Sequence, residues 1–203
     1  DEVQCGLGRT GRLFAHEHSG VKPDIVTVAK GISSAYLPMA ATVVRNSVFK
    51  SFIGEASENR QVNQVNTYGG HPVAAAVALR NIEILLEEKL AQRSAENGAY
   101  LLDGLKTLMR HQWVGDVRGK GLYAGVELVT DRASKAVMPA PQIKRLVERC
   151  QERGVIVGRS GGGAHLGNTL VLAPPLVLTR AEIDRIVSVL DQTIPEICPE
   201  AAA

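Results

Sequence analysis

Cysteine is scarce in this chain: Cys5, Cys150 and Cys198 are the three in 203 residues. They are odd in number, widely separated and without CxxC or His-paired spacing, which argues against a disulfide framework and a thiolate zinc site and predicts reduced thiols. Long hydrophobic runs are missing too. The longest, Val73 to Leu79 and Leu170 to Leu178, are too short or too interrupted by proline to cross a bilayer, and no signal peptide precedes them, so a soluble, cytoplasmic protein is expected. Neither sign of charge dominates, since 23 Lys and Arg against 21 Asp and Glu leave a net charge of +2. With no run of like charge and no basic stripe, nucleic acid is not an expected partner. His16, His18, His71, His111 and His165 form no metal-ligand spacing; His16 and His18 would not even share a helix face. No internal repeat is present.

What is there is an ordinary globular composition, 45% apolar and 22% charged, in a chain long enough for one sizeable domain or two small ones. Ile25 to Val28 and Ala40 to Val44 are β-branched runs bounded by Gly, Pro and Ser, as expected for strands buried on both faces of a mixed or parallel sheet. From Pro72, the Ala-rich stretch to Lys89 reads as a long helix opening on its proline, and Arg93 to Met109 as a second. Further on, Leu122 to Val129, Val155 to Gly158 and Thr169 to Leu176 read as strands. A helix carrying Ile143, Leu146, Val147 and Cys150 at helical spacing separates them. The last helix opens on the capping box Thr179-Arg180-Ala181-Glu182 and continues with Ile183, Ile186, Val187 and Leu190 as its buried stripe. Pro195 and Pro199 are expected to disrupt regular structure, and Ala201 to Ala203 to fray.

One constellation carries chemistry. Lys30 follows the first strand between the small neighbours Ala29 and Gly31, which would let a flat ring approach, and burial there would favour the neutral, nucleophilic amine. Asp1 opens the segment Asp1 to Gly11. A lysine that forms a Schiff base and an acid that keeps a pyridinium nitrogen protonated are what pyridoxal phosphate chemistry requires. On spacing alone, a solvated loop lysine is the favoured reading.

The ordered blocks Asp1 to Gly11, Lys22 to Pro38, Asn66 to Pro72, Gly115 to Leu122 and Leu172 to Leu176 closely resemble class III (omega-amino acid type) aminotransferases along the full chain. The resemblance implies an α/β protein of fold type I. Residues 1–110 would be the C-terminal part of the large mixed-sheet domain that binds the cofactor, and residues 111–203 the small C-terminal α+β domain. It implies pyridoxal 5'-phosphate as cofactor, Lys30 as the Schiff-base lysine and Asp1 as partner of the pyridine nitrogen. Val3 would pack on the ring and Gln4 would hydrogen-bond near the ring hydroxyl. Thr67 falls where the family binds the cofactor phosphate of the neighbouring subunit, which implies a homodimer with shared active sites; the alternative is a cap for the helix that starts at Pro72. Arg159, beside the glycine run Gly161 to Gly163, lies near a mobile arginine that pairs with a substrate carboxylate in relatives. Its alternative is an exposed arginine on a flexible loop.

The implied activity is transfer of an amino group from an amine or omega-amino acid to a keto acid such as pyruvate or 2-oxoglutarate, in a ping-pong cycle. Decarboxylation, racemisation or an aminomutase reaction could run on the same scaffold, because the electron sink belongs to the cofactor. A non-catalytic folded or dimerising module is the reading outside enzymology: the family's proteins are about twice as long, and the chain alone is expected to be inactive. Arg9 and Arg118, set among glycines, read as loop-tying residues. Gly6 to Gly11 fits GxGxxG only superficially, because no complete strand precedes it and no helix pattern follows.

Overall fold

The β-branched runs near the N-terminus pair with each other. In the computed structural model, which describes residues 1–64, 66–162 and 165–197, strand β1 (Ile25–Val28) runs antiparallel to β2 (Ala41–Val44), with Ile25 opposite Val44 and Val28 opposite Ala41. The expectation of strands buried on both faces is not met: Ile25 is 53% exposed and Val43 59%. Among the described residues these two strands form a sheet by themselves, and only Val28 in the two strands is buried.

Both strands belong to the first of two compact units, residues 1–91; residues 92–203 form the second. The first unit continues with a short helix α1 (Asn46–Lys50) and the long α2 (Pro72–Glu87). Proline suits the first turn of α2 because its missing N–H would have no helical acceptor there. The His71 ring nitrogen Nδ1 accepts from the Val73 amide at 3.2 Å and caps the helix. Ala74, Ala78 and Leu85 are its buried stripe. The helix stops two residues short of the expected Lys89, which has a left-handed backbone with φ of +52°.

Helix α3 (Leu90–Lys106) and the 3₁₀ turn Thr107–Arg110 lead into the second unit. There, β3 (Val114–Lys120), β4 (Tyr123–Asp131), β5 (Ala136–Val137), α4 (Ala140–Glu152), β6 (Gly158–Gly162), β7 (His165–Leu172) and α5 (Arg180–Ile197) follow in order. The sheet runs β3-β4-β7-β6, with β5 on β4, and every pairing is antiparallel. Leu101, Leu105 and Leu108, Ile143 and Leu146 of α4, and Ile183, Leu190 and Ile194 of α5 bury completely against Val126, Leu128 and Leu170 of the sheet. Within α5 the expected capping box forms: Glu182 accepts from the Thr179 amide at 2.8 Å, and Thr179 Oγ1 accepts from the Glu182 amide at 3.3 Å.

Several sequence expectations shift for physical reasons. Val155 to Val157 form no strand, because the Val155 amide donates to Cys150 O at 2.9 Å and finishes the end of α4; β6 begins at Gly158. Strand β7 lies earlier than expected and ends at Leu172, ahead of Pro174 and Pro175, which have no N–H to give a ladder. Pro195 sits inside α5 without breaking it. The proline removes one hydrogen bond in the last turn, where Ile194 is fully buried and Glu196 pairs with Arg149 and Arg153 of the α4 end. Cys5 and Cys150 are free thiols. Cys198, Pro199 and Ala201 to Ala203 lie outside the described residues.

The block Gly115 to Leu122 becomes β3 and its turn into β4, against which α3 packs closely. A methyl group on Gly98 would stand 2.2 Å from the carbonyl carbon of Gly121, while Ser94 Oγ accepts from the Leu122 amide at 3.2 Å. Because the obstacle is backbone and not a movable side chain, Gly98→Ala is expected to destabilise the protein by at least about 1–3 kcal/mol, the cost of overpacking. A urea titration would show it as a lower midpoint at unchanged slope.

Candidate active site

The N-terminal segment folds back on β1. The Glu2 amide donates to Thr27 O at 2.9 Å, and the following residues turn through Gly6 N to Glu2 O at 2.9 Å, with Leu7, Gly8 and Gly11 at positive φ. Glu2 itself is 6% exposed, and its carboxylate is filled: it accepts from the amides of Ala15 at 3.0 Å and His16 at 2.9 Å and bonds His16 Nδ1 at 3.1 Å. Burial works to raise this carboxyl, but the two amides and the imidazole stabilise the anion more, and it is held below its ordinary 4.5. Thr10, also buried, is tied to His18 Nε2 at 3.1 Å through its hydroxyl.

This loop meets the lysine turn. Lys30 begins a 3₁₀ turn, Lys30–Ile32, two residues past the end of β1, and a methyl built on Gly31 would touch Leu7 Cβ at 3.4 Å. The first two sequence blocks, Asp1 to Gly11 and Lys22 to Pro38, are thereby brought together. Lys30 adopts φ of +44°, a region costly for a residue with a Cβ. Its side chain is exposed, so the burial expected from its small neighbours is not provided. Among the described residues no ion pair or side-chain hydrogen bond engages its amine. Asp1 is exposed and accepts from the Val3 amide at 2.8 Å, while Val3 is half-buried and Gln4 exposed.

Thr67 lies exposed in the turn ahead of α2, near Gly70 with φ of +69°. It does not cap α2; His71 does. Arg159 belongs to the second unit, where it is half-buried on β6 opposite Leu170. A flexible exposed loop is therefore not its setting. Its Nε donates to Gly167 O at 2.9 Å, while Nη2 is buried without a partner among the described residues; Gly163, part of the expected swing loop, lies outside them. Arg118 reaches Asp116 at 2.8 Å, Glu127 at 3.6 Å and Thr169 at 3.4 Å, spanning β3, β4 and β7. Among the described residues no group of His, Cys, Asp or Glu could hold a metal ion.

Sequence reasoning passed over Glu2, His16 and Asn81. Glu2 and His16 lie fourteen residues apart, beyond any local pattern. The only available signal was an acid inside a segment of small residues and glycines.

Glu2 makes a definite pH prediction. A carboxylate whose pKa is lowered by folding stabilises above its unfolded value and loses that contribution as pH falls through the folded one. Below about pH 4.5, Glu2→Gln should flatten the acid loss of protection at the Ala15 and His16 amides. Site-resolved hydrogen exchange in wild type and variant checks it; identical acid limbs would show that the carboxylate does not hold the loop.

Comparison with known proteins bears on the whole chain. The family described as aminotransferase class-III matches residues 1–194. An uncharacterised aminotransferase, YhxA, of Bacillus subtilis is 47% identical over 97% of this chain and 44% of its own length. A taurine–pyruvate aminotransferase of Bilophila wadsworthia is 42% identical over 97% and 44%. Among solved structures, a Bacillus anthracis aminotransferase superposes with a TM-score of 0.92 at 45% identity, covering 97% of this chain and 44% of that one. The chain spans less than half the length of these relatives, and no helix among its described residues is long and apolar enough to cross a membrane. With the family match running from the Asp1 loop through the lysine turn to the last helix, the chain belongs to the class III aminotransferases and carries their fold-type I architecture.

Proposed function

We propose that this chain provides the lysine, the ring-facing acid and the substrate arginine of a pyridoxal 5'-phosphate-dependent transamination, in which an amine or omega-amino acid donates its amino group to a keto acid such as pyruvate or 2-oxoglutarate. The observation that carries the reading is the lysine turn itself. An uncommitted amine stands at the end of β1, beside a loop whose first residue is an acid, and both are fixed by Glu2 N to Thr27 O and by the Gly31–Leu7 contact.

The residues present suit the cofactor. Lys30 offers a free primary amine, Asp1 retains one carboxylate oxygen beyond its bond to the Val3 amide, and a methyl built on Gly70 meets nothing within 4 Å, leaving open backbone near the Thr67 hydroxyl. Pyridoxal 5'-phosphate, when bound, supplies an aldehyde carbon for amine exchange and a ring that accepts electrons. Lys30 would hold the cofactor through its amine and, when freed by the donor, would serve as the base that takes a proton from the donor carbon and the acid that gives it up again. Asp1 would keep the ring nitrogen protonated by charge, Val3 would support a ring face, and Gln4 would hydrogen-bond near the ring hydroxyl. Arg159 Nη2, a buried donor with no partner, fits a substrate carboxylate.

In this reading the two half-reactions alternate in a ping-pong cycle. The working enzyme is a cytoplasmic homodimer in which Thr67 serves the phosphate of the partner's cofactor. Apolar side chains left exposed in the first unit, among them Phe49, Ile53, Val62 and Tyr68, give such a partner a surface to cover. Residues 1–110 then form part of the large domain, and residues 111–203 the small one.

Two experiments test this. Adding the cofactor to the enzyme should give a visible absorbance band that Lys30→Ala abolishes, that an amino donor bleaches and that pyruvate restores. Turnover of Lys30→Ala should fall by at least about 10²-fold, the low end for a lost acid–base group; a Lys30-independent band would end the reading. Replacing the substrate arginine, Arg159→Leu, should weaken a carboxylate-bearing donor by about 1.5–3 kcal/mol, the range for hydrogen bonds to charged groups. A simple amine donor should be unaffected. Equal losses for both donors in steady-state kinetics would assign Arg159 to structure alone.

A further inference from the structure

The backbone around Lys30 is strained over a short span. Lys30, Ser34 and Ala35 all have positive φ, at +44°, +48° and +62°, and none is glycine. Such conformations persist only where surrounding contacts over-determine them. Part of that restraint is internal, since the buried Ser33 hydroxyl donates to Leu37 O at 2.6 Å. The rest comes from Asn81 on α2, far away in sequence.

Asn81 lies between Ala78 and Leu85, on the stripe that α2 buries. Its Nδ2 donates to Gly31 O at 2.8 Å and to Ile32 O at 3.2 Å, and its Oδ1 accepts from Ser34 Oγ at 2.7 Å. The two carbonyls can only accept and the hydroxyl can donate, so the amide fits in one orientation. One side chain thus bonds three points of the strained segment, at Gly31, Ile32 and Ser34, just after the lysine. We propose that Asn81 is a positioning residue, clamping the Lys30–Ser34 turn onto α2 and thereby fixing the direction from which the lysine amine meets its reactant. This rests on the reading of Lys30 given above.

The geometry ranks the substitutions. Asn81→Ala leaves both carbonyls without their donor and frees Ser34. Asn81→Asp keeps the shape but sets carboxylate oxygens against two carbonyl oxygens, which repel, and should be worse. Ser34→Ala removes the hydroxyl bond that orients the amide while leaving its donors in place, and should act in the same direction but less. Arg80→Ala, on the outer face of the same helix where Arg80 pairs with Glu83 and Glu87, serves as the control and should change nothing.

Two measurements read the clamp. In the cofactor-free protein, amide exchange across residues 30–35 should quicken about tenfold in Asn81→Ala, as expected for loss of net hydrogen-bond stabilisation in one local unit, with the rest of the protein unchanged. In the holoenzyme, kcat should fall about ten- to a hundredfold while KM for the amino donor stays within about twofold, because misplacing a reacting group by a fraction of an ångström costs rate and not binding. If Asn81→Ala does not fold, Ser34→Ala carries the same test with smaller changes. Unchanged exchange overturns the proposal, and so does faster exchange with unchanged kcat. Lys30→Ala in parallel separates the two readings. If the visible band does not depend on Lys30, the functional reading falls and this inference with it. If the band needs Lys30 but the clamp variants behave as wild type, the positioning role alone is wrong.

Discussion

A carboxylate removed from water must find donors or become neutral, and Glu2 finds them in the backbone of a segment more than a dozen residues away. Two amides and an imidazole converge on it, and Glu2's own amide is spent on Thr27 of β1. One residue therefore joins three stretches of chain: the glycine-rich loop, the short turn at Ala15–His18 and the first strand. Asp1, Val3 and Gln4 inherit their positions from that junction. Without it, the loop would be a run of glycines with left-handed turns and little apolar surface to bury, and nothing local would choose one conformation for it.

The second unit is stabilised differently. Its centre is apolar and continuous, with three helices laid on one face of an antiparallel sheet, and its polar contacts lie mostly at the edges, as in the Arg149 and Arg153 bridges to Glu196. Exposed pairs of that sort contribute little individually. Their effect is geometric, holding the end of α5 in register across Pro195 while Ile194 supplies the burial. The second unit has a continuous buried core, whereas the first leaves many apolar side chains exposed and relies on specific hydrogen bonds around its lysine.

That difference decides what could be read from the sequence. Where a local rule suffices, the sequence was legible: the Thr179–Glu182 capping box, the proline opening α2 and the 3.6-residue stripe of α4 appear as expected, and the β-branched run before Lys30 forms a strand, though not one buried on both faces. Strand β3 escaped notice because Val114–Lys120 contains two glycines and three charged residues in seven positions; its glycine at 119 is there for close approach, since a methyl would lie 2.6 Å from Tyr123 O. The β6–β7 hairpin was misplaced because Val155, apolar and β-branched, is used by a helix end and not by a ladder. Glu2 and Asn81 were invisible for one reason. Their partners are fourteen and fifty residues away, and neither side chain departs from an ordinary surface pattern until the chain is folded.

Polar side chains in the two units fall into two kinds. Glu2, Thr10, Ser33 and Asn81 are saturated by the protein, and saturation is what gives a loop of strained residues a single shape. Arg159 Nη2, in the second unit, is the opposite case, buried with no hydrogen-bond acceptor among the described residues. Trp113 Nε1 is likewise buried and unpaired, so an orphan donor is not by itself a binding group. The indole is neutral, however, and its isolation costs about 1–3 kcal/mol. A guanidinium carries a full charge that cannot be discharged by losing its proton, so its unmet demand is larger and is met best by a planar anion. On β6 of the second unit Arg159 therefore carries an unmet hydrogen-bond demand, whereas the polar side chains around the lysine turn of the first unit meet theirs within the chain.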